Sequence, residues 1–362
     1  PKHTEDLPES DPLVGSIRSA FHHIAMVSGG VPSDWLSELL RIDDPGTLAE
    51  TIVPLLPLPL AIRQDLLEAY SGQERLERLS ALLSDAAIMR AGLGEALGAR
   101  HALPTSACRR AFLRVPRHRF VPSVPLAAAY MDVAISTRTT QEQGREVGIS
   151  SISAPCIVAT NIGQLRLRPG TRVLEIGAGT GYNAAILAEI VGAENVTSVD
   201  LDPEIVAEAR AHLDATGHSR VFVDLADGWD GYAAQAPYDR ILLTVGVHDV
   251  APTWMEQLRE GGLLVGWFSF RNVQLSVAFR KRHGHLVSEE ISGPLWSLDL
   301  RGKQPRRLHH HYGNDLTVTH DVLDEADLAV LDEILDRPVA PFSLPELANL
   351  GPETLDFYAF LA

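Results

Sequence analysis

The sequence predicts an α/β fold, a doubly wound sheet with a helical region before it and a mixed extension after it. Short apolar segments, typical of strands, alternate with segments typical of helices. A glycine-rich turn follows the first apolar segment, and an acidic residue lies at or near the end of each of the first three. Strands that alternate with helices imply a parallel sheet covered on both faces. The predicted strands are residues 173–176, 196–200, 221–224, 238–245 and 263–267.

The first predicted strand runs into three glycines spaced two apart, Gly177, Gly179 and Gly181, and then into a helix. Glycines at such a turn let the backbone bend and let a ligand approach its amides closely. The pattern is G-x-G-x-G after an acidic residue, Glu175, and differs from the dinucleotide fingerprint. A cofactor with an amino acid end needs a nearby carboxylate. We therefore predict a loop that binds S-adenosyl-L-methionine (SAM); the alternative is an ordinary glycine-rich turn.

Acidic residues follow the next two predicted strands. Asp200 ends the second strand, where it can accept both ribose hydroxyls. Asp227 follows the third strand and can accept from an adenine amino group. Each acid alone is more often a solvated strand end, but the series favours a nucleoside site. Asp202-Pro203-Glu204 is typical of a helix start.

Residues 105–285 resemble the protein L-isoaspartate O-methyltransferases. The likeness rests on residues 114–122 and 129–132, on Ser-Ile-Ser-Ala-Pro at 151–155, on the glycine turn, and on Ala-Asp-Gly-Trp-Asp-Gly at 226–231. It implies a Rossmann-like SAM methyltransferase sheet, methylation of a peptide carboxylate, and S-adenosyl-L-homocysteine as product. The resemblance assigns Ser153 and Ser151 to the acceptor site and these residues to the cofactor: Glu175, Gly177, Ala178, Gly179, Asp200, Leu201, Asp227 and Gly228.

The chain departs from the family pattern in three ways. Ala154 replaces the usual Gln, residues 136–148 are longer and more polar than the usual connection, and long segments flank the core. Such enlargement resembles members that act on ribosomally made peptides and convert an aspartate to a methyl ester and then to an aspartimide. The alternatives are a general repair enzyme for isoaspartyl residues and a non-catalytic SAM-binding protein.

The acceptor chemistry needs no strong general base. A carboxylate with an ordinary pKa of about 3.9 is already ionised at neutral pH. Holding both substrates in line can supply roughly 7–11 kcal/mol of the barrier. We expect Ser153 and nearby amides to hold the acceptor oxygen; the alternative is that Ser153 caps a helix or bonds locally.

The expected domains are a helical region at 1–100, the methyltransferase core at 101–285 and an extension at 286–362. In the first, Ser71 to Glu74 fits a capping box, 53–60 reads as a stiff extended connector, and 92–104 reads as the interdomain joint. Residues 43–83 are similar to the helical end of the Lon substrate-binding domain, which implies contact with a peptide or protein. The alternative is a helical bundle that packs on the core.

The extension contains two predicted helices, at 323–335 and 344–350. His309, His310 and His311 alternate faces if they lie on a strand, so they cannot chelate one metal ion together, and we predict no metal site. With Arg306 and Arg307 they favour a charged contact to the substrate or to the amino-terminal region.

The amino-acid composition favours some classes of binding partner and disfavours others. The net charge of −16 disfavours nucleic acid and anionic membranes and favours a basic peptide. Two cysteines, Cys108 and Cys156, fit a reducing compartment, and we find neither an apolar run of membrane-spanning length nor a signal peptide. We therefore expect a cytoplasmic enzyme with a peptide or protein substrate. The sequence does not predict the oligomeric state.

Overall fold

The computed structural model describes residues 12–28, 33–39, 41–142, 145–270, 273–295, 297–304, 308–312 and 316–320. Its first part is helical, as predicted. Six helices precede the core: α1 (Pro12–Ser28), α2 (Ser33–Leu39), α3 (Pro45–Ile52), α4 (Leu60–Leu67), α5 (Gly72–Leu82) and α6 (Ala86–Ala99).

The core alternates helices and strands from residue 106 onward. Its elements are α7 (Ser106–Arg114), α8 (Leu126–Ala129), β1 (Ile135–Glu142), β2 (Arg145–Ile152), α9 (Pro155–Leu165), β3 (Val173–Ile176), α10 (Tyr182–Val191), β4 (Val196–Asp200), α11 (Pro203–Ala215), β5 (Phe222–Leu225), β6 (Tyr238–Val247), α12 (Pro252–Gln257), β7 (Leu258–Phe270), β8 (Val273–Arg282) and β9 (His285–Leu295). A last pair of strands, β10 (Leu308–Tyr312) and β11 (Leu316–His320), is antiparallel.

Seven strands form the main sheet in the order β5-β4-β3-β6-β7-β8-β9. The five strands from β3 to β7 are mutually parallel and correspond to the five predicted ones, so the doubly wound sheet is confirmed. β8 and β9 add an antiparallel edge that the sequence reading did not foresee. The sheet therefore runs past residue 285, where we expected the core to end.

Both faces of the sheet are buried. All four residues of β3 are buried, and neighbouring side chains belong to different apolar clusters: Val173 to the cluster that includes α10 and the amino-terminal helices, and Leu174 to the cluster that includes Trp254 and Phe268. The first cluster continues without a break from Val14 on α1 to Val265 on β7. The amino-terminal helices thus share a hydrophobic core with the methyltransferase sheet.

The capping box forms in a shifted version. The Ser71 side chain accepts from the Glu74 amide at 3.1 Å, whereas Glu74 reaches back to the amide of Tyr70, one residue before the expected partner. The predicted connector at 53–60 is not a strand, as expected, but it is not extended throughout, because Val53–Leu55 form one turn of 3-10 helix.

The first half of the predicted joint at 92–104 is helical. Residues 92–99 lie inside α6, and the chain leaves the helix near Arg100. Gly92 permits close packing, because a Cβ there would lie 2.2 Å from the carbonyl oxygen of Pro57. The glycine therefore lets α6 press against the connector at 53–60, and the division into domains at this segment stays a prediction.

Several expectations concern the carboxyl-terminal part of the chain. His309–His311 do lie on a strand, β10. Arg306, Arg307 and the helices predicted at 323–335 and 344–350 fall outside the described residues. Among the residues described, no helix is long and apolar enough to cross a membrane. Nor does this described part group three His, Cys, Asp or Glu side chains where they could hold a metal ion.

Candidate functional site

A cavity of about 550 Å³ opens at the carboxyl ends of β3, β4 and β6. The glycine turn forms its floor, and the end of β2 and one face of α9 form a wall. A segment that follows β9, residues 297–304, is called the strap here, and its residues 297–301 also line the cavity. Cavities of this size and place in α/β sheets typically bind cofactors.

The glycine turn has the tight geometry that its sequence predicts. Gly177 has a φ of +97°, and a Cβ on it would lie 2.3 Å from the hydroxyl oxygen of Thr244. That hydroxyl oxygen lies 2.9 and 2.7 Å from the carbonyl oxygens of Ile176 and Gly177 and can donate its proton to either of them. Only glycine lets β6 hold the turn this closely. Ala178 and Gly179 also line the cavity.

Glu175 lies beneath this floor and is fully buried. Its carboxylate accepts from the Asn183 amide at 2.6 Å and from the Ser198 hydroxyl at 2.5 Å. Burial raises the pKa of Glu175 to about 7, against the opposing effect of these two bonds. The residue on the cavity wall is Asn183, a polar side chain in the first turn of α10 that our sequence reading missed.

Asp200 lines the cavity at the end of β4, as the sequence predicts. Its carboxylate accepts from the amides of Gly179, at 3.1 Å, and Asp202, at 3.3 Å. Burial raises the pKa of Asp200, while backbone bonds and nearby Arg301 of the strap oppose this. Leu201 follows at the cavity rim and is 39% exposed.

Asp227 and Gly228 are placed differently from one another. Gly228 lines the cavity and lies against Leu300 of the strap. The carboxylate of Asp227 accepts from the amides of Trp229 and Lys303, both at 2.9 Å. Lys303 also pairs with Asp230. The strap therefore occupies one oxygen of the carboxylate that we predicted to read the adenine amino group.

Ser151 and Ser153 both line the cavity, on the side facing the glycine turn. The local alternative for Ser153 fails, because α9 is capped from elsewhere. Its N-cap residue, Ala154, provides no side-chain bond, and the Cys156 amide donates to Asp132 at 2.7 Å. Ser153 makes no hydrogen bond to any described residue, so its hydroxyl is available to a ligand.

The polar stretch at 136–148 forms most of the hairpin β1–β2, which sequence reasoning left as a connection. Arg138 joins this hairpin to α11 through Glu204 and, at 2.8 Å, Glu208. The strap was also missed. It pairs with the end of β6 through two bonds of 2.8 Å, from the Gly246 amide to Leu298 and from the Leu300 amide to Gly246.

The sheet order, the glycine turn and the strand-end acids around one cavity define a Rossmann-like methyltransferase fold. The sequence model of the protein-L-isoaspartate(D-aspartate) O-methyltransferase family matches residues 93–295, more than half of the chain. The chain belongs to this family. The resemblance at 105–285 is thereby confirmed, and the match extends beyond it at both ends.

Individual relatives agree. The chain is 44% identical over 157 residues to the protein-L-isoaspartate O-methyltransferase of Methanopyrus kandleri, covering 43% of this chain and 66% of the relative. It is 41% identical over 193 residues to that of Methanosarcina mazei, covering 51% and 76%. A solved protein-L-isoaspartate O-methyltransferase structure superposes with a TM-score of 0.53 at 30% identity, over 59% of this chain and 67% of that one. The relative from Opitutus terrae is matched over 60% of its length, so the first two relatives are each covered for less than two thirds.

SAM, the predicted methyl donor, is the cofactor of this family, and the residues present fit it. The Gly177 turn leaves no side chain between the backbone and a ligand. Asp200 offers a buried carboxylate whose oxygens each retain a lone pair beyond their amide bonds. Leu201 and Gly228 give an apolar border for a flat ring. The cavity volume suits a cofactor with room left for an acceptor side chain.

Proposed function

We propose that this chain is a SAM-dependent O-methyltransferase that methylates an aspartate or isoaspartate carboxylate in a polypeptide. One observation carries the proposal: the unengaged hydroxyl of Ser153 and the glycine turn line the same cavity. Acceptor and cofactor can therefore meet there. The names of the relatives, all protein-L-isoaspartate O-methyltransferases, support the same chemistry.

Each residue of the site has a proposed role that follows from its position. Asp200 accepts from ribose hydroxyls, Gly228 and Leu201 border the adenine ring, and Ala178 and Gly179 let the cofactor approach the turn. Glu175 holds the amide of Asn183 against the cofactor's amino acid end. Asp227 carries the strap, and its second role, toward the adenine amino group, stays a prediction. Ser153, next to Ser151, donates to one oxygen of the acceptor carboxylate.

Bound SAM supplies a methyl group activated by a sulfonium, which an ionised carboxylate takes up as S-adenosyl-L-homocysteine is left. The protein therefore needs to orient the acceptor and exclude water, and no residue has to remove a proton. A buried site lined by Ile152, Val158 and Trp267 provides the exclusion. Donation from Ser153 to one carboxylate oxygen leaves the other free to react.

We further propose that the substrate is a dedicated, ribosomally made peptide and that its ester closes to an aspartimide. In this second step the following backbone nitrogen bonds to the ester carbon, and methanol leaves with the nitrogen's proton. The enlarged hairpin β1–β2 and the long segments outside residues 93–295 support a dedicated substrate. The helical region, with its Lon-like segment, and the carboxyl-terminal extension are the proposed contacts, and the net charge of −16 favours a basic peptide.

The test is mass spectrometry on acceptor peptides incubated with SAM and the full chain. We compare an isoaspartyl peptide, its aspartyl twin and a folded peptide with one aspartate. A gain of one methyl followed by loss of methanol from an aspartyl substrate supports the dedicated role. Methylation of isoaspartyl peptides alone, regardless of sequence, supports the repair enzyme. SAM binding without methylation of any of them supports a non-catalytic protein, and methylation at nitrogen contradicts the proposal.

A further inference from the structure

One buried polar side chain on the cavity wall has no part in the site described so far. α9 faces the cavity with Ile157, Val158 and Asn161, the spacing that puts residues on one side of a helix. Asn161 is only 4% exposed. Its neighbours across the cavity include Val245 and Trp267, so it places a hydrogen-bonding group in an otherwise apolar region.

Asn161 is held from behind by β8. The hydroxyl oxygen of Ser276, fully buried, lies 3.1 Å from the side-chain oxygen of Asn161 and 2.6 Å from that of Gln164. A serine hydroxyl has one proton, so it can donate to only one of these two oxygens. The other amide must present its NH2 group to the serine instead. The two ends of an amide have the same shape, and hydrogen bonding decides which is which.

The environment of Gln164 decides the arrangement. Placed with its oxygen toward Ser276, Gln164 buries an amide nitrogen that has no partner among the described residues. If the side-chain amide of Gln164 is rotated by 180°, its NH2 group donates to Ser276 and its oxygen is buried without a partner. A buried oxygen without a hydrogen bond costs less free energy than a buried N–H group without one. Ser276 then donates to Asn161. The NH2 group of Asn161 is left facing the cavity, with no hydrogen bond to any described residue.

We propose that Asn161 is a further substrate-binding residue, whose side-chain NH2 donates to the acceptor carboxylate of the polypeptide. This inference rests on the proposed function. Ser153 and Asn161 line the same cavity, and a carboxylate oxygen has more than one lone pair, so it can accept from a second donor and still react. A neutral donor orients the carboxylate without cancelling the charge that makes it a nucleophile.

The sharpest variant is Asn161→Asp, which keeps the shape and the acceptor for Ser276 but replaces the NH2 group with an anionic oxygen. Asn161→Leu removes the polar group without adding charge. Thr160→Val is the matched control, because Thr160 lies on the same helix but does not line this cavity, and its hydroxyl donates to the carbonyl of Cys156. A hydrogen bond to a charged group is worth roughly 1.5–3 kcal/mol. We expect kcat/KM for the acceptor peptide to fall about 10- to 100-fold in N161L and further in N161D.

The affinity for S-adenosyl-L-homocysteine, measured by calorimetry, should stay within about two-fold of wild type in all three variants, and T160V should keep wild-type turnover. The inference is overturned if N161D and N161L turn over the peptide like wild type, if their cofactor affinity falls in step with activity, or if T160V loses as much as N161L. Failure of the proposed function looks different: wild type itself would methylate no carboxylate peptide.

Discussion

Burial acts on two carboxylates of the site in the same direction but with different consequences. Glu175 is sealed under the glycine turn with both oxygens bonded, whereas Asp200 opens to the cavity. Burial raises the pKa of each. Glu175 is therefore a structural acid and Asp200 a ligand-facing one, although both end strands and look alike in the sequence.

Replacing Glu175 by Gln should change how stability depends on pH. From its ordinary pKa of 4.5 up to about 7, folded Glu175 keeps a proton that the unfolded chain has released. The free energy of unfolding therefore falls as pH rises through this range, by on the order of 3 kcal/mol. Glu175→Gln, which cannot ionise, should lose this fall. Urea unfolding at pH 5 and pH 8 measures it, with Glu256→Gln, at an exposed position of α12, as control. Equal pH dependence in wild type and E175Q contradicts the assignment.

Asp200→Asn should weaken binding of S-adenosyl-L-homocysteine. The substitution keeps the shape but removes the charge and one acceptor for the ribose hydroxyls. We expect the Kd, measured by calorimetry, to rise about 10-fold or more. Asp224→Asn is the matched control, because it also lies in a neighbouring strand but bonds Tyr232, away from the cavity. Unchanged affinity in D200N would remove Asp200 from the site.

At the scale of elements, the hairpin β1–β2 and the strap are what distinguish this cavity from a bare sheet edge. Arg138 attaches the hairpin to α11, and polar contacts with Gly246, Asp227, Asp230 and Gln274 attach the strap. Such attachments fix position more than they stabilise the fold. Their loss should appear in substrate kinetics before it appears in unfolding.

Arg138→Ala should therefore affect substrate kinetics more than the stability of the fold. Its glutamate partners are more than half exposed, so each pair contributes about 0.2–1 kcal/mol to stability. We expect a small loss of unfolding free energy but an increase of several-fold in KM for the acceptor peptide, because the hairpin borders the acceptor side. A double-mutant cycle with Glu208→Ala isolates the pair. Arg220→Ala, which breaks the exposed pair with Glu194, should leave KM unchanged.

The sequence predicted the elements whose periodicity is local. The parallel strands, the helix starts and the glycine turn all follow from patterns a few residues long, and the structure reproduces them. The sequence could not predict the strap, because Leu300 and Lys303 contact Gly228 and Asp227, which lie about 70 residues away along the chain. Asn161 was missed for the same reason: only the fold puts β8 behind α9. The close approach of Gly92 to Pro57 also depends on packing between segments that the sequence alone does not show.

At the scale of the whole molecule, the helical region and the sheet share one apolar cluster. The sequence predicts a helical region at 1–100 and a methyltransferase core at 101–285, and the separate functions of these two parts stay a prediction. Physically, side chains as distant as Val14 and Val265 belong to the same core. We therefore expect the two parts to unfold together.

Leu48→Ala tests this coupling. Leu48 on α3 is fully buried, and truncating such a side chain costs about 2–5 kcal/mol. The thermal midpoint followed by helix content and the midpoint followed by loss of S-adenosyl-L-homocysteine binding should fall together. Leu60→Ala, at an exposed position of the next helix, is the control. A cofactor-binding transition that stays in place while helix content melts earlier would show two independent domains.

The edge strand of the sheet, β9, has features that discourage association with other chains. Glu289 lies at a bulge of this edge strand, and Val287 and Ile291, two residues before and after it, are both exposed. Three arginines, Arg166, Arg280 and Arg282, hold its carboxylate. Bonding to Arg280 above all lowers the pKa of Glu289 to about 2. A bulge and a charge on an edge strand both discourage another strand from pairing with it. Because this charge persists in acid, we expect the border strand to resist fibril-like association even where most carboxylates have become neutral.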